Sequence, residues 1–395
     1  MMKDSIDFGN MEIPRLFRRL LIPTVLGMLF SAAFVITDGI FVGRGIGSDA
    51  LAAVNITAPL FLINTGVGLM FGVGASVVAS IHLSYGKART ARINVTQAVA
   101  VSSLILAAYS LAVCLFAPEV ARLLGSSQRL LPLVLEYMYW FVPFLPFSAL
   151  LSSGMFFIRL DGSPNYAMWC NAVPALINIV LDYVFIFLLD LGMFGAALAT
   201  SLGYVVGAVM ILAYLSRRRN VIRFCRVKTS RKSLRLTRRN VGYMCRLGLS
   251  TFLCEGAIAA MMFTGNYVFI RRLGEDGVAA FSIACYFFPI IFMVYNAIGQ
   301  SAQPILSYNF GAGRSDRVRS AFRLAMATAV AVGLLFSSLR PCAAPGSWAC
   351  SSMRPIRPTA LPSAVCRSSP RGSSSSPSTS SRSVISRASN RPGPP

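Results

Sequence analysis

The stretch ALINIVLDYVFIF, residues 175–187, places one carboxylate, Asp182, inside a run that otherwise belongs in hydrocarbon. Asn178 stands four residues earlier, so on a helix both polar side chains share a face about one turn apart. A charge near mid-bilayer costs at least about 2.5–3.5 kcal/mol on insertion scales. Such a residue more often faces a cavity, where it serves a function, than lipid. Asn178 and Asp182 read as an ion-coupling site, with a bonded structural Asn–Asp pair as the alternative.

The chain around it is built for a membrane. Of its 395 residues 55% are hydrophobic and 13% charged, against roughly 25% charged in soluble domains. The net charge of +23 sits mostly in short loops between apolar runs and in the C-terminal stretch. That is the positive-inside pattern, and nucleic acid is not an expected partner. Nine cysteines form no CxxC pair, and the single histidine, His82, excludes a His-based metal cluster or a Ser-His-Asp triad. An enzyme is not expected, nor a cofactor beyond a coupling ion. No cleavable leader is evident in the polar N-terminal twenty residues.

Arg15, Arg18 and Arg19 precede the first apolar run and put the N-terminus in the cytoplasm. That run, residues 20–42, is long enough to span. It contains Pro23, which can kink a helix, and a second intramembrane acid, Asp38. A second span, 50–81, is dense in glycine, which reads as close helix packing and not as a dinucleotide loop. Spans three to six follow at about 95–117, 131–157, 167–189 and 195–215, the last carrying Thr200. Arg159 and Asp161 fall in a short inner loop. The basic stretch 216–240 is then a cytoplasmic linker, because six crossings return the chain to its starting side. A third intramembrane acid, Glu255, lies in span seven (243–270), and spans eight and nine follow at 278–307 and from about Phe322.

The second block repeats the first at a constant offset of 227 residues, pairing Gly47 with Gly274, Asp49 with Asp276, Gly86 with Gly313 and Arg92 with Arg319. Both copies put their basic loop after their second span. They therefore share orientation, which implies two lobes about an axis along the membrane normal. The chain divides into an N-lobe of six helices (1–215), the linker (216–240), a partial C-lobe of about three (241–338) and an Arg/Ser/Pro-rich stretch (339–395). That stretch has no Asp, Glu or Lys and no spanning run, so its composition is that of a disordered tail. The abrupt change near residue 338 reads as a frameshift or truncation; a natural nine-span protein or a basic interaction tail are the alternatives.

Taken together, LIPTV (21–25), TDGIFVGRGIG (37–47), RLDGSPNYAMW (159–169), NIVLDYVFIF (178–187), GAALAT (195–200) and YNFGAGR (308–314) resemble the multidrug and toxic compound extrusion (MATE) transporters. The resemblance covers about residues 15–338. It implies an all-α polytopic fold of two six-helix lobes, with about nine of twelve transmembrane helices present. It also implies a multi-pass protein of the cell membrane, a monomer among membrane lipids, that exports cationic or amphipathic small molecules in exchange for H⁺ or Na⁺. Asp38, Asn178, Asp182 and Thr200 then stand where the family's N-lobe cation site lies. Pro23 matches a hinge of the first helix, and Glu255 a C-lobe acid of sodium-coupled members.

The chemistry fits that implication. A carboxylate in a dry cleft favours neutralisation by a proton, and with an amide and a hydroxyl oxygen it also offers hard ligands for an alkali cation. An occupant that shifts the inward/outward equilibrium couples export to the ion gradient. The competing readings are a lipid-linked oligosaccharide flippase, which would want a basic cavity, and a non-functional truncated product.

Overall fold

The computed structural model describes residues 6–227 and 230–338, with backbone only at 232, 262, 266, 269–291 and 337. The expected disordered tail, 339–395, lies outside the described residues. All regular elements among those described are helical: α1 (Ile13–Gly45), α2 (Ser48–Ser84), α3 (Ala88–Leu115), α4 (Ala117–Leu123), α5 (Leu131–Phe141), α6 (Leu145–Leu160), α7 (Pro164–Asp182), α8 (Gly192–Ser216), α9 (Arg231–Gly311) and α10 (Ser315–Ser338). A 3₁₀ turn, Val142–Phe144, separates α5 from α6. Pro143 and Pro146 sit there at helix starts, where a missing N–H costs nothing.

Eight stretches among the described residues are long and apolar enough to cross a membrane, six of them before residue 217. The chain is thus a multi-pass membrane protein. The expected eighth span, 278–307, runs over residues whose side chains are not described.

Helical hydrogen bonding continues through all 81 residues of α9, which as a straight rod would reach about 120 Å, four times a bilayer core. Its contacts with α2 show that it doubles back. Glycines 66 and 74 of α2 approach Phe252 and Met244 respectively, so this part of α9 runs antiparallel to α2. Later, Ser76 bonds Gln303 at 3.4 Å and Gly311 lies against Ile81 and Ser84, a parallel arrangement. Between those two stretches the direction of α9 relative to α2 reverses.

The internal repeat is visible in the backbone. Helix ends Ser84 and Gly311, helix starts Ala88 and Ser315, and the left-handed glycines Gly86 (φ 72°) and Gly313 (φ 71°) are all pairs at the 227 offset. So is the Ser76–Gln303 hydrogen bond, where two equivalent residues meet.

Small residues on α2 set the packing. A Cβ on Gly72 would lie 2.8 Å from the Ser153 Cα of α6, and one on Gly74 would overlap the Met244 carbonyl of α9. The helix is thereby held between the rest of its own lobe and the second one, the close-approach role expected of its glycines.

Candidate functional site

On α7, Asn171, Asn178 and Asp182 fall on one face, spaced by seven and four residues, and all three are buried. Asp182 is 0% exposed. It closes the α-helical part of its segment, and the next residues, Tyr183–Leu188, form a π-helical turn. Such wide turns recur at functional sites. The chain then reverses through Asp190, a non-glycine residue with φ 48°, and enters α8.

α8 supplies Thr200, whose Oγ accepts a hydrogen bond from Asn178 Nδ2 at 3.4 Å. One turn before Asn178 on α7, the Pro174 carbonyl would lie 3.3 Å from a Cβ on Gly203, a close approach that lets the two helices carry one site. From α1, the Asp38 carboxyl comes up against both Asp182 and Thr200. Yet Asn178 Oδ1 and both carboxylate oxygens of Asp182 have no hydrogen-bond partner among the described residues. Buried polar atoms are nearly always satisfied, and a proton or a cation at these three orphan oxygens beside a second carboxyl would neutralise them.

Three cavities of about 180, 240 and 290 Å³ adjoin through shared walls: Phe34, Thr200 and Tyr204 join the first two, and Ser152, Met155 and Asn171 join the first to the third. Phe61 and Met293 line all three. Together they form a cleft between N-lobe helices and α9. Asp38 opens into the second cavity, and Asn178 into the first. Phe61 stacks on Tyr204 at 5.9 Å, with Phe34 edge-on to the same ring at 6.4 Å. The cleft therefore offers an acidic end and aromatic walls.

The structure brings Asp38, Asn178, Asp182 and Thr200 together. Glu255 is not among them; buried on α9, it lines the third cavity with Asn296 and Gln300. Pro23 is buried within an unbroken α1, one turn before Gly27, whose Cα side approaches Asn171 of α7. One reading from the sequence changes. Arg159 is not in a loop but in the last turn of α6, 2% exposed. Methionines 28, 155, 261 and 293 line the cleft.

Tyr204 and Asn171 were not singled out from the sequence. Their signals were there: Asn171 is two helical turns before Asn178, and Tyr204 one turn after Thr200. What the sequence lacks is the rotation of α1 and α8 about α7.

Comparison with known proteins agrees with this architecture. The family model MatE matches residues 23–184 and 254–345. A protein of Shewanella oneidensis described as an FAD transporter is 26% identical over 337 residues, 82% of this chain and 71% of its own. The multidrug export protein MepA of Staphylococcus aureus is 25% identical over 321 residues, covering 80% and 68%. A solved structure, the outward-facing conformation of a multidrug resistance MATE family transporter of the MOP superfamily, superposes with a TM-score of 0.71 at 25% identity, over 86% of this chain and 74% of that one.

Proposed function

The chain belongs to the MatE family of multidrug and toxic compound transporters, and from that premise we propose that it exports cationic or amphipathic small molecules across the cell membrane in exchange for H⁺ or Na⁺. In this reading its N-terminus lies in the cytoplasm. The observation that carries the reading is the buried Asp38–Asp182 pair: Asp182 carries two orphan oxygens, and Asp38 beside it lines an aromatic-walled cleft between the lobes.

Two carboxyls side by side, without a basic partner and out of water, are not both charged unless a cation sits between them. A proton or a sodium ion settles the pair, with Asn178 Oδ1 and Thr200 Oγ completing an oxygen shell for the metal. Leaving, it exposes negative charge to the cleft, which favours a cationic group on the substrate. Asp38 on α1 and Asp182 on α7 are coupled only while those helices keep their register. Filling the site therefore favours one arrangement of α1, and Pro23, with no N–H to bond the preceding turn, is where α1 bends most cheaply. Export follows if each occupant prefers a different arrangement.

The test is ion-driven efflux of a fluorescent cation from everted vesicles. Asp182→Asn keeps the shape and removes the titratable charge. Export should fall by about 100-fold, and undiminished export by the variant sinks the mechanism.

A further inference from the structure

The cleft has a second polar end. Arg159 is a buried cation whose needs are poorly met. Its Nη1 donates to Gln300 Oε1 at 2.6 Å, and Nη2 reaches only the Met155 sulfur at 3.7 Å. The Phe156 ring lies 5.7 Å from Cζ, and Nε has no hydrogen-bond partner. Among the described residues no carboxylate lies within 4 Å of it; the ion pair found there is Arg129–Asp49, at the surface. Buried guanidinium groups are normally matched by a carboxylate or phosphate, which their planar fork fits in two bonds.

Both residues that Arg159 holds, Gln300 and Met155, line the third cavity. Asn171 lines it too, and its Nδ2 is also buried without a partner. Asn171 Nδ2, on this cavity, and Arg159 Nε, on a residue bonded to its wall, are thus unsatisfied donors, whereas unsatisfied acceptors gather at Asp182 and Asn178. Glu255, on the same cavity wall, keeps it from being a purely positive pocket.

We propose that the inner end of the cleft is a subsite for an oxyanion group, a carboxylate or a phosphate, held by Arg159 and Asn171, so that the transported solutes include amphoteric and acidic amphipaths as well as cations. This rests on the export reading and narrows its substrate class. The oxyanion replaces Gln300 Oε1 on the guanidinium. Because Arg159 belongs to the first lobe and Gln300 to the second, that replacement also removes a hydrogen bond joining the lobes. Binding thereby loosens the contact that must part for the cleft to open on the other side.

The purified full chain in lipid nanodiscs tests this through two matched fluorescent pairs: rhodamine 110 with its methyl ester rhodamine 123, and FMN with riboflavin. The wild type should bind the acidic member of one pair at least about tenfold more tightly than its neutral or esterified partner; the pair that responds identifies carboxylate or phosphate. Arg159→Gln should remove that preference while leaving the other member within about twofold, and Arg159→Lys should keep part of it. Gln300→Leu, which frees the guanidinium, should strengthen binding of the acidic member, an effect that a purely structural arginine would not give. Equal binding within both pairs, or an Arg159→Gln loss shared by both members, overturns the subsite and leaves export standing. Binding of none of the four probes overturns both.

Discussion

The two lobes carry the same pattern, and among the described residues α3 and its copy α10 bury it differently. Val95, Ala98 and Val99 on α3 lie in one buried cluster with Met155, Phe157 and Ile211 from α6 and α8. Their counterparts at the 227 offset are Phe322, Ala325 and Met326 on α10. Phe322 is 56% exposed and Met326 50%, and all three line an open groove of about 1130 Å³ between α9 and α10. Among the described residues, α10 therefore folds as α3 does while leaving exposed the face that α6 and α8 cover in the first lobe. Helix formation here follows from local hydrogen bonding and apolar character; burial follows from neighbours. The acids differ in the same way. Asp182 faces a second carboxyl, whereas Glu255 corresponds in the repeat to Met28 and shares a cavity wall with it.

The widest break in the comparison would come from the acids. If ion coupling resides in the first lobe, Glu255→Gln should reduce ion-driven export by less than about tenfold, against about 100-fold for Asp182→Asn. Vesicle efflux on the two variants in parallel decides this. Equal losses would mean that the lobes share the coupling.

Which parts of this were legible in advance follows from what periodicity encodes. An acid in an apolar run and an amide one turn away are properties of one helix, so Asn178–Asp182 could be read from sequence. The 227 offset likewise marks helix ends such as Ser84 and Gly311 to the residue. The meeting of Asp38 with Asp182 came only from the family resemblance, because helix periodicity does not tell how α1 is rotated against α7. Arg159 was misplaced for a related reason: a charged residue beside Asp161 and Gly162 looks like a loop. In the structure the loop's polar work falls to Asp161, which accepts from the Tyr214 hydroxyl at 2.7 Å and the Ile222 amide at 2.6 Å, while Arg159 turns inward.

The contact between the lobes is the next lever. Gly74 of α2 leaves no room against the Met244 carbonyl, whereas Gly242 has open space around it. Gly74→Leu forces the helices apart and should cost about 1–3 kcal/mol, the usual price of overpacking. Thermal unfolding in detergent should show a clear fall for it and none for Gly242→Leu. An unchanged transition for Gly74→Leu would show that the lobes are held elsewhere.

A smaller effect separates the repeated faces themselves. Val95→Ala removes packed methyl groups from the first lobe's cluster and should cost about 1–2 kcal/mol. The larger truncation at the equivalent position, Phe322→Ala, should stay within about 0.5 kcal/mol. The ordering runs against side-chain size, so denaturation of the two variants tests burial alone. A larger loss at Phe322 would mean that the groove is covered.

The smallest effect concerns the N-terminal turn that ties α1 to the second lobe. Arg317 donates to the Met11 carbonyl at 2.6 Å and Arg314 to the Gly9 carbonyl, while Phe8 packs on Tyr308 at 5.8 Å. Asp7 shapes the turn, accepting from the Gly9 amide at 2.8 Å and from Asn10. The Gly9 N–H first, then Asn10, hold the Asp7 carboxyl below its ordinary value of 3.8. A depressed carboxylate stabilises the folded turn above the unfolded value, and that contribution is lost as pH falls through the folded one. Amide exchange at Gly9 and Asn10 should therefore lose protection only below about pH 4. Asp7→Asn should lack that step while the amides around Asp182 stay protected. A step that survives the substitution would assign the acid sensitivity to another group, and one that spreads to α7 would mean that the turn holds more of the first lobe than α1.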